Sequence, residues 1–253
     1  MTKVHMSQHT VLRAANSSSP TVHYFLTYLQ SSFPYAPKPL GFEWHDGQKM
    51  ERLTLVPGTT YDYPLQGAIA SEQALVSAAM LLRQFHDASA DYIDLLDDEM
   101  IWLLPARQPA EVICHGDFAP YNVTCEGENV VGVYDFDTAH PAPRVWDLAY
   151  AIYCWAPFKT HEVDRLGDLD AQIERALIFA NAYGMNAQQR AVLLNTMIER
   201  LHCLVAFMKA QSEQGDDKFS MDIAQGHSQS YLNDIVYLQT HRAAITARLM
   251  AAL

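Results

Sequence analysis

The chain has 253 residues, with 17 lysines and arginines against 29 acids and a formal net charge of −12. Its 49% hydrophobic content excludes a disordered tail and allows one large core or two small lobes. The lack of any basic cluster argues against a nucleic-acid binder, while the acidic balance favours a cationic small-molecule partner or plain solubility.

The four cysteines, Cys114, Cys125, Cys154 and Cys203, show no C-x-x-C spacing, so neither a disulfide scaffold nor a zinc site is expected. The opening residues lack the apolar run of a signal peptide. No stretch of sequence approaches the roughly 18 apolar residues of a membrane span. The expectation is a soluble cytoplasmic protein without a membrane partner; its oligomeric state is not legible.

In chain order, T-V-L-R-A near residue 10 reads as a short strand. His5 and His9, four apart just before it, would pair on a metal only if that segment were helical. S-P-T-V-H-Y-F-L-T-Y-L-Q follows as a helix, with Ser19 as N-cap and Pro20 in the first helical position. P-L-G-F-E-W-H-D-G-Q-K-M-E-R-L-T-L-V-P-G reads as a hairpin turning at Asp46-Gly47 and stopping at Pro57-Gly58. The segment from Ala68 to Ser89 has the apolar spacing of a helix. Short strands then surround the segment H-G-D-F-A-P-Y-N. Four helices close the chain, the last a long one from Met221 to Met250 that Gly226 weakens by roughly 1 kcal/mol relative to alanine. The outline is a small β-containing lobe, a hinge near Pro57, and a larger helical lobe.

The central stretch carries the chemistry. His115-Gly116-Asp117 ends a short strand, Gly116 permits a tight bend, and Pro120 stiffens the loop. A hairpin turning at Glu126-Gly127 brings Asn122 and Asp135 back towards Asp117. That gathers one candidate base and two oxygen donors, a set that suits magnesium completed by substrate phosphates.

H-G-D-F-A-P-Y-N followed by Y-D-F-D resembles the aminoglycoside phosphotransferase and choline kinase group of small-molecule kinases, over roughly residues 10 to 160. Asp117 and Asn122 stand five apart, as in a kinase catalytic loop. The resemblance implies a two-lobed, protein-kinase-like α+β fold. Residues 1–58 would be a reduced nucleotide-covering lobe; residues 59–253 would hold the catalytic loop and acceptor site. It implies ATP or another nucleoside triphosphate, Mg2+, and a small-molecule acceptor bearing a hydroxyl. Asp117 matches the catalytic acid and His115 a residue that orients the loop. Asn122 and Asp135 match magnesium ligands, and Asp137 supports the loop or a metal-bound water.

The small lobe departs from that pattern. No glycine precedes Gly41, and only about nine residues precede T-V-L-R, too few for two strands and a glycine-rich loop. Arg13 stands where the strand lysine would be and is not a neutral replacement for it as a phosphate contact. The next helix offers no glutamate to pair with it, and His23 is its inward polar candidate. The resemblance would have the backbone of Thr54, Leu55 and Val56 hydrogen-bond an adenine ring, though any edge strand offers such groups. Tyr150, Tyr153 and Trp155 form either a cage for an amine or ordinary core, and Asp147 reads as an anchor of its own helix. A kinase reading therefore competes with a non-catalytic one, a descendant that binds or sequesters a ligand, as an immunity protein would.

Overall fold

A computed structural model describes residues 5–251. Two short strands open the small lobe, β1 (His5–Met6) and β2 (Thr10–Ala14), followed by helix α1 (Ser19–Leu29) and the hairpin β3 (Pro39–His45) and β4 (Gln48–Thr54). They form an antiparallel sheet in the order β1-β2-β4-β3. The hairpin turns where the sequence places it. Asp46 and Gly47 both take positive φ, 49° and 79°, the conformation a two-residue turn needs to match the twist of its strands. Register sets Arg13 of β2 opposite Glu51 of β4, which matters for the site below.

Helix α1 starts one residue differently from the sequence reading: Ser18, not Ser19, is the capping position. The Ser18 side chain caps nothing, because Asn16 Oδ1 already accepts from the backbone amides of Ser18 and Ser19, at 2.8 and 3.0 Å. The helix buries Val22, Phe25, Leu26 and Leu29. Phe25 meets Phe85 and Tyr92 edge-on, which ties the small lobe to the large one.

The large lobe begins with α2 (Glu72–Ser89), whose first turn is closed by Ser71 Oγ accepting from the Ala74 amide at 3.1 Å. The residues before it form a short 3-10 turn, Gly67–Ala70, so the expected helix starts later than its apolar spacing indicates. Strands β5 (Val112–Cys114) and β8 (His140–Ala142) pair with each other, as do β6 (Val123–Glu126) and β7 (Asn129–Val133). Helices α3 (Arg144–Trp155), α4 (Leu169–Tyr183) and α5 (Ala187–Glu213) follow.

The long terminal helix of the sequence reading is three helices, α6 (Asp217–Ala224), α7 (His227–Thr240) and α8 (Arg242–Ala251). Gly226 ends the first piece at φ 89°, a left-handed conformation that only glycine adopts cheaply, so it breaks the helix rather than weakening it. Helix α5 is long and apolar enough to cross a membrane by length and composition alone. Here it packs against α3 and α7 and buries Leu193, Leu194, Met197, Leu201, Val205 and Met208. The main hydrophobic cluster runs from Val22 and Leu53 of the small lobe through Leu82, Ile113 and Val133 to Leu249, and a smaller one joins Val112, Cys114, Ala142 and Trp146.

Candidate active site

The loop after β5 is fixed by an almost complete accounting of its backbone. Asp147, fully buried on α3, accepts from the amides of His115 at 2.7 Å and Gly116 at 2.9 Å. The Asp117 amide donates to His115 Nδ1 at 3.2 Å, and His115 Nε2 donates to the carbonyl of Tyr134 at 3.0 Å. On the acceptor side, the His115 carbonyl takes the Thr138 hydroxyl at 3.0 Å and the Gly116 carbonyl takes Arg200 Nη2 at 2.7 Å. The Asp117 carbonyl takes Asn122 Nδ2 at 3.0 Å and the Phe118 carbonyl takes Trp155 Nε1 at 3.2 Å. Buried backbone groups left unpaired are costly, so this pattern specifies one loop conformation. Gly116 has φ 82°, and a Cβ there would come within 2.4 Å of the Thr138 carbonyl oxygen. No other residue fits.

Asp147 is therefore more than an anchor of its own helix: it holds the candidate catalytic loop. Burial alone would raise its pKa; the His86 hydrogen bond at 3.0 Å, His86 and His115 nearby, and the Gly116 amide outweigh that and hold it at about 2. His86, Cys114 and Asp147 also approach one another as metal ligands would. The two oxygens of Asp147 are already taken by His86 and the two amides, and burial keeps the Cys114 thiol protonated, so the cluster is a structural one.

Asp117 is half-buried with both carboxylate oxygens engaged. Oδ2 accepts from Asn122 Nδ2 at 2.8 Å, and Oδ1 accepts from the hydroxyl of Tyr121 at 2.8 Å. Burial pushes its pKa up, against the Tyr121 bond, which pulls it down. Asp135 lies close enough to add repulsion in the same upward direction.

Asp135 has φ 65°, rare for a residue with a side chain and a conformation that stores about 1–3 kcal/mol of strain. The turn that results aims Asp135 and Asp137 at one guanidinium. Arg13 Nη1 donates to Asp135 Oδ1 at 2.8 Å, Nη2 donates to Asp137 Oδ1, and Nε donates to Glu51 Oε1 at 2.8 Å. Burial works against the charge of Arg13, but Asp137, Asp135 and Glu51 together raise its pKa. Asp137 is itself pushed up to about 6 by burial, with Asp135 and Glu51 adding to the push and Arg13 opposing it. Glu51 is fully buried and also bonds His23 Nε2 of α1 at 2.9 Å. The missing helix glutamate thus has a substitute on β4, and His23 does point inward, reaching Arg13 through Glu51.

The hinge residues are partly committed. The Thr54 amide donates to the Lys38 carbonyl at 2.9 Å and the Leu55 amide to the His9 carbonyl at 2.8 Å. Val56 instead packs its side chain where a Cβ on Gly132 would stand, 2.3 Å away. His5 lies in β1, not on a helix, so His5 and His9 lack the helical spacing a shared metal would need. Tyr153 and Trp155 are core residues, and so is Tyr150. An ammonium does sit against this aromatic group, but it is the chain's own: Lys159 Nζ lies 3.9 Å from the Tyr63 ring centre and 5.4 Å from that of Tyr153.

Three residues escaped the sequence reading. Glu51 was legible only through its register with Arg13. Tyr121 lies inside the motif, between Pro120 and Asn122. Arg200 comes from α5, a helix with no motif to flag it, and its guanidinium stacks over Tyr150 at 4.7 Å while gripping the Gly116 carbonyl.

A small sheet lobe, a large helical lobe, and a rigid loop between them presenting an acid and an amide beside a second acid pair make up a two-lobed, protein-kinase-like fold. Residues 88–183 match the model of the phosphotransferase enzyme family, and the resemblance read from the motifs holds. The chain is 27% identical over 198 residues to the trifolitoxin immunity protein of Rhizobium leguminosarum bv. trifolii, covering 74% of this chain and 72% of that protein. Among solved structures, a Ralstonia eutropha protein provisionally described as an aminoglycoside phosphotransferase superposes with TM-score 0.61 at 11% identity, over 95% of this chain and 93% of that one. Aminoglycoside phosphotransferase APH(3'')-Id of Streptomyces rimosus, in complex with ADP and streptomycin, gives TM-score 0.52 at 14% identity, over 74% and 85%. At these identities the structures show the fold.

Proposed function

We propose that the protein is a phosphotransferase that moves the terminal phosphoryl group of a nucleoside triphosphate, ATP in the first instance, to a hydroxyl of a small molecule, with Mg2+ as cofactor. The observation that carries this reading is the pairing of Asp117 with Asn122 on a loop whose backbone is held by six hydrogen bonds to side chains outside or within it, beside Asp135 and Asp137. Phosphoryl transfer asks a protein mainly for positioning and charge compensation, and a rigid loop supplies the first.

The donor set suits magnesium in kind. Asp135 and Asp137 each engage Arg13 through Oδ1, so Oδ2 of each and the carboxamide oxygen of Asn122 remain as hard oxygen ligands. Bound there with the nucleotide, the ion would neutralise charge on the phosphates. The other roles fall to the chain. Asp117 orients the attacking hydroxyl and accepts its proton. His115 keeps the loop and the Tyr134 turn in register. Arg13 has five N–H donors and uses three on carboxylates, which leaves two for phosphate oxygens. The adenine would lie against the backbone at Val56. An acceptor with a cationic group suits the net charge of −12, and a cytoplasmic location suits a nucleotide-dependent enzyme.

A second reading has its own support. The relative carries the name of an immunity protein, and the guanidinium of Arg13 already lies between the two carboxylates a metal would use. In that reading the fold binds and sequesters a ligand without turnover. Asp117→Asn separates the two, since it keeps the shape and removes the base. For an enzyme, magnesium-nucleotide binding stays within a few-fold while turnover falls about 100-fold or more. Nucleotide hydrolysis and transfer, followed as ADP release, measure this. A wild type that binds no nucleotide at millimolar concentration with magnesium defeats the kinase reading.

A further inference from the structure

The hydroxyl of Tyr121 stands where an acceptor hydroxyl must stand to be served by Asp117. It donates to Asp117 Oδ1 at 2.8 Å, and the other oxygen of that carboxylate is held by Asn122. The residue is held at its backbone, its hydroxyl and its ring. Tyr134 donates its hydroxyl to the Tyr121 carbonyl at 2.5 Å, the Tyr150 hydroxyl lies 3.3 Å from that of Tyr121, and the Tyr63 ring packs edge-on at 6.0 Å. Tyr63 is in turn covered by Lys159. Tyr121 sits in a 3-10 turn between Pro120 and Asn122, so the same short segment that carries the metal-binding amide also carries this hydroxyl. An isolated tyrosine–aspartate bond would be unremarkable. Here it engages the one acid the loop is built to present.

We infer that Tyr121 guards the acceptor position: its hydroxyl fills the place beside Asp117 and keeps water out until an acceptor hydroxyl displaces it. The inference rests on the phosphotransferase reading and adds to it a residue that sets specificity between acceptor and solvent. The reaction suppressed is hydrolysis. A water oxygen would form a bond to the terminal phosphorus as the bridging P–O bond to the β-phosphate breaks, giving ADP and phosphate, and the water proton would pass to Asp117 and then to solvent. Tyrosine suits the guard role because its ring is anchored by packing while only its hydroxyl competes for the carboxylate.

The test is Tyr121→Phe in the full chain, with ATP and Mg2+ and no acceptor. It removes one oxygen and leaves the packing. Hydrolysis is expected to rise about 10-fold as water takes the vacated place, with ATP affinity, read by calorimetry, within about two-fold of wild type. A rise of this kind is not what loss of a merely structural contact produces. Tyr121→Leu, which lacks the hydroxyl but keeps an apolar side chain in the packed place, serves if the first variant does not fold. Unchanged or lower hydrolysis with ATP binding retained overturns the guard role alone. Phosphate found on Tyr121 of the wild type by mass spectrometry also overturns it, since the hydroxyl would then be an acceptor. No ATP binding in the wild type overturns the kinase reading and this inference together.

Discussion

Arg13 has three carboxylates around it, and only a planar fork can meet them at once. A lysine in its place would be a single point charge that could satisfy one or two. The partner that matters most for stability is Glu51, because it is fully buried while Asp135 and Asp137 reach solvent. Removing one member of a buried pair leaves the other as an uncompensated charge. Arg13→Ala should therefore destabilise the protein by about 3 kcal/mol in urea unfolding, with Arg13→Lys losing about a third as much. If Arg13 also reaches phosphate, Arg13→Lys, the folded variant, should weaken ATP more than adenosine; an equal loss for both ligands would confine Arg13 to the structural role. At this scale the sequence was informative where spacing carries meaning. Asp117, Asn122 and Asp135 were expected to converge from their order and separation, and they do lie together, Asn122 bonded to Asp117 and Asp135 close enough to repel it. Glu51 and Arg200 could not be placed this way, because each depends on which strand or helix lies alongside, and a linear pattern does not contain that.

Among the elements, the loop from His115 to Asn122 is the most fully determined, and its glycine tests how rigidly. Gly116 and Gly226 share a positive φ, 82° and 89°, but differ in what surrounds them. A Cβ on Gly226 meets nothing within 4 Å, so Gly226→Ala bears only the left-handed backbone cost, about 1 kcal/mol. A Cβ on Gly116 meets the Thr138 carbonyl oxygen at 2.4 Å, so Gly116→Ala must also move backbone that Asp147 and Arg200 hold in place. It should cost at least about 3 kcal/mol. Denaturant midpoints for the two variants measure the contrast, and equal losses would mean that the loop yields easily. The elements themselves were mostly legible. The Asp46-Gly47 turn, the helix ending near Ser89 and the short strands about the loop follow from periodicity and turn residues. The terminal helix failed as one element because helical spacing persists across Gly226 and His241, while Gly226 takes a left-handed φ of 89° that ends the first piece.

For the molecule as a whole, the reading of residues 1–58 and 59–253 as two units meets a core that does not respect the boundary. Phe25, Leu26 and Leu29 of α1 share one apolar cluster with Leu75, Leu82 and Phe85 of α2 and with Phe136 beside the acid pair. Polar contacts cross at the same place: Arg13 to Asp135, the Val133 amide to the Tyr35 carbonyl at 2.9 Å, and the Ile101 amide to Thr21 at 2.9 Å. Lobes joined only by a hinge would unfold separately. Lobes joined through buried aromatic contacts lose packing on both sides when either opens. The chain is therefore expected to unfold in one calorimetric transition, with equal van't Hoff and calorimetric enthalpies, and ATP with Mg2+ should raise that single midpoint rather than the midpoint of one lobe. Two resolved transitions, only one of them moved by nucleotide, would show that the lobes are independent and that the Arg13 cluster is a contact between domains. One transition would tie the geometry at Asp135 to the integrity of β2 and β4, so that a substitution in either strand is felt at the site through stability as well as through charge.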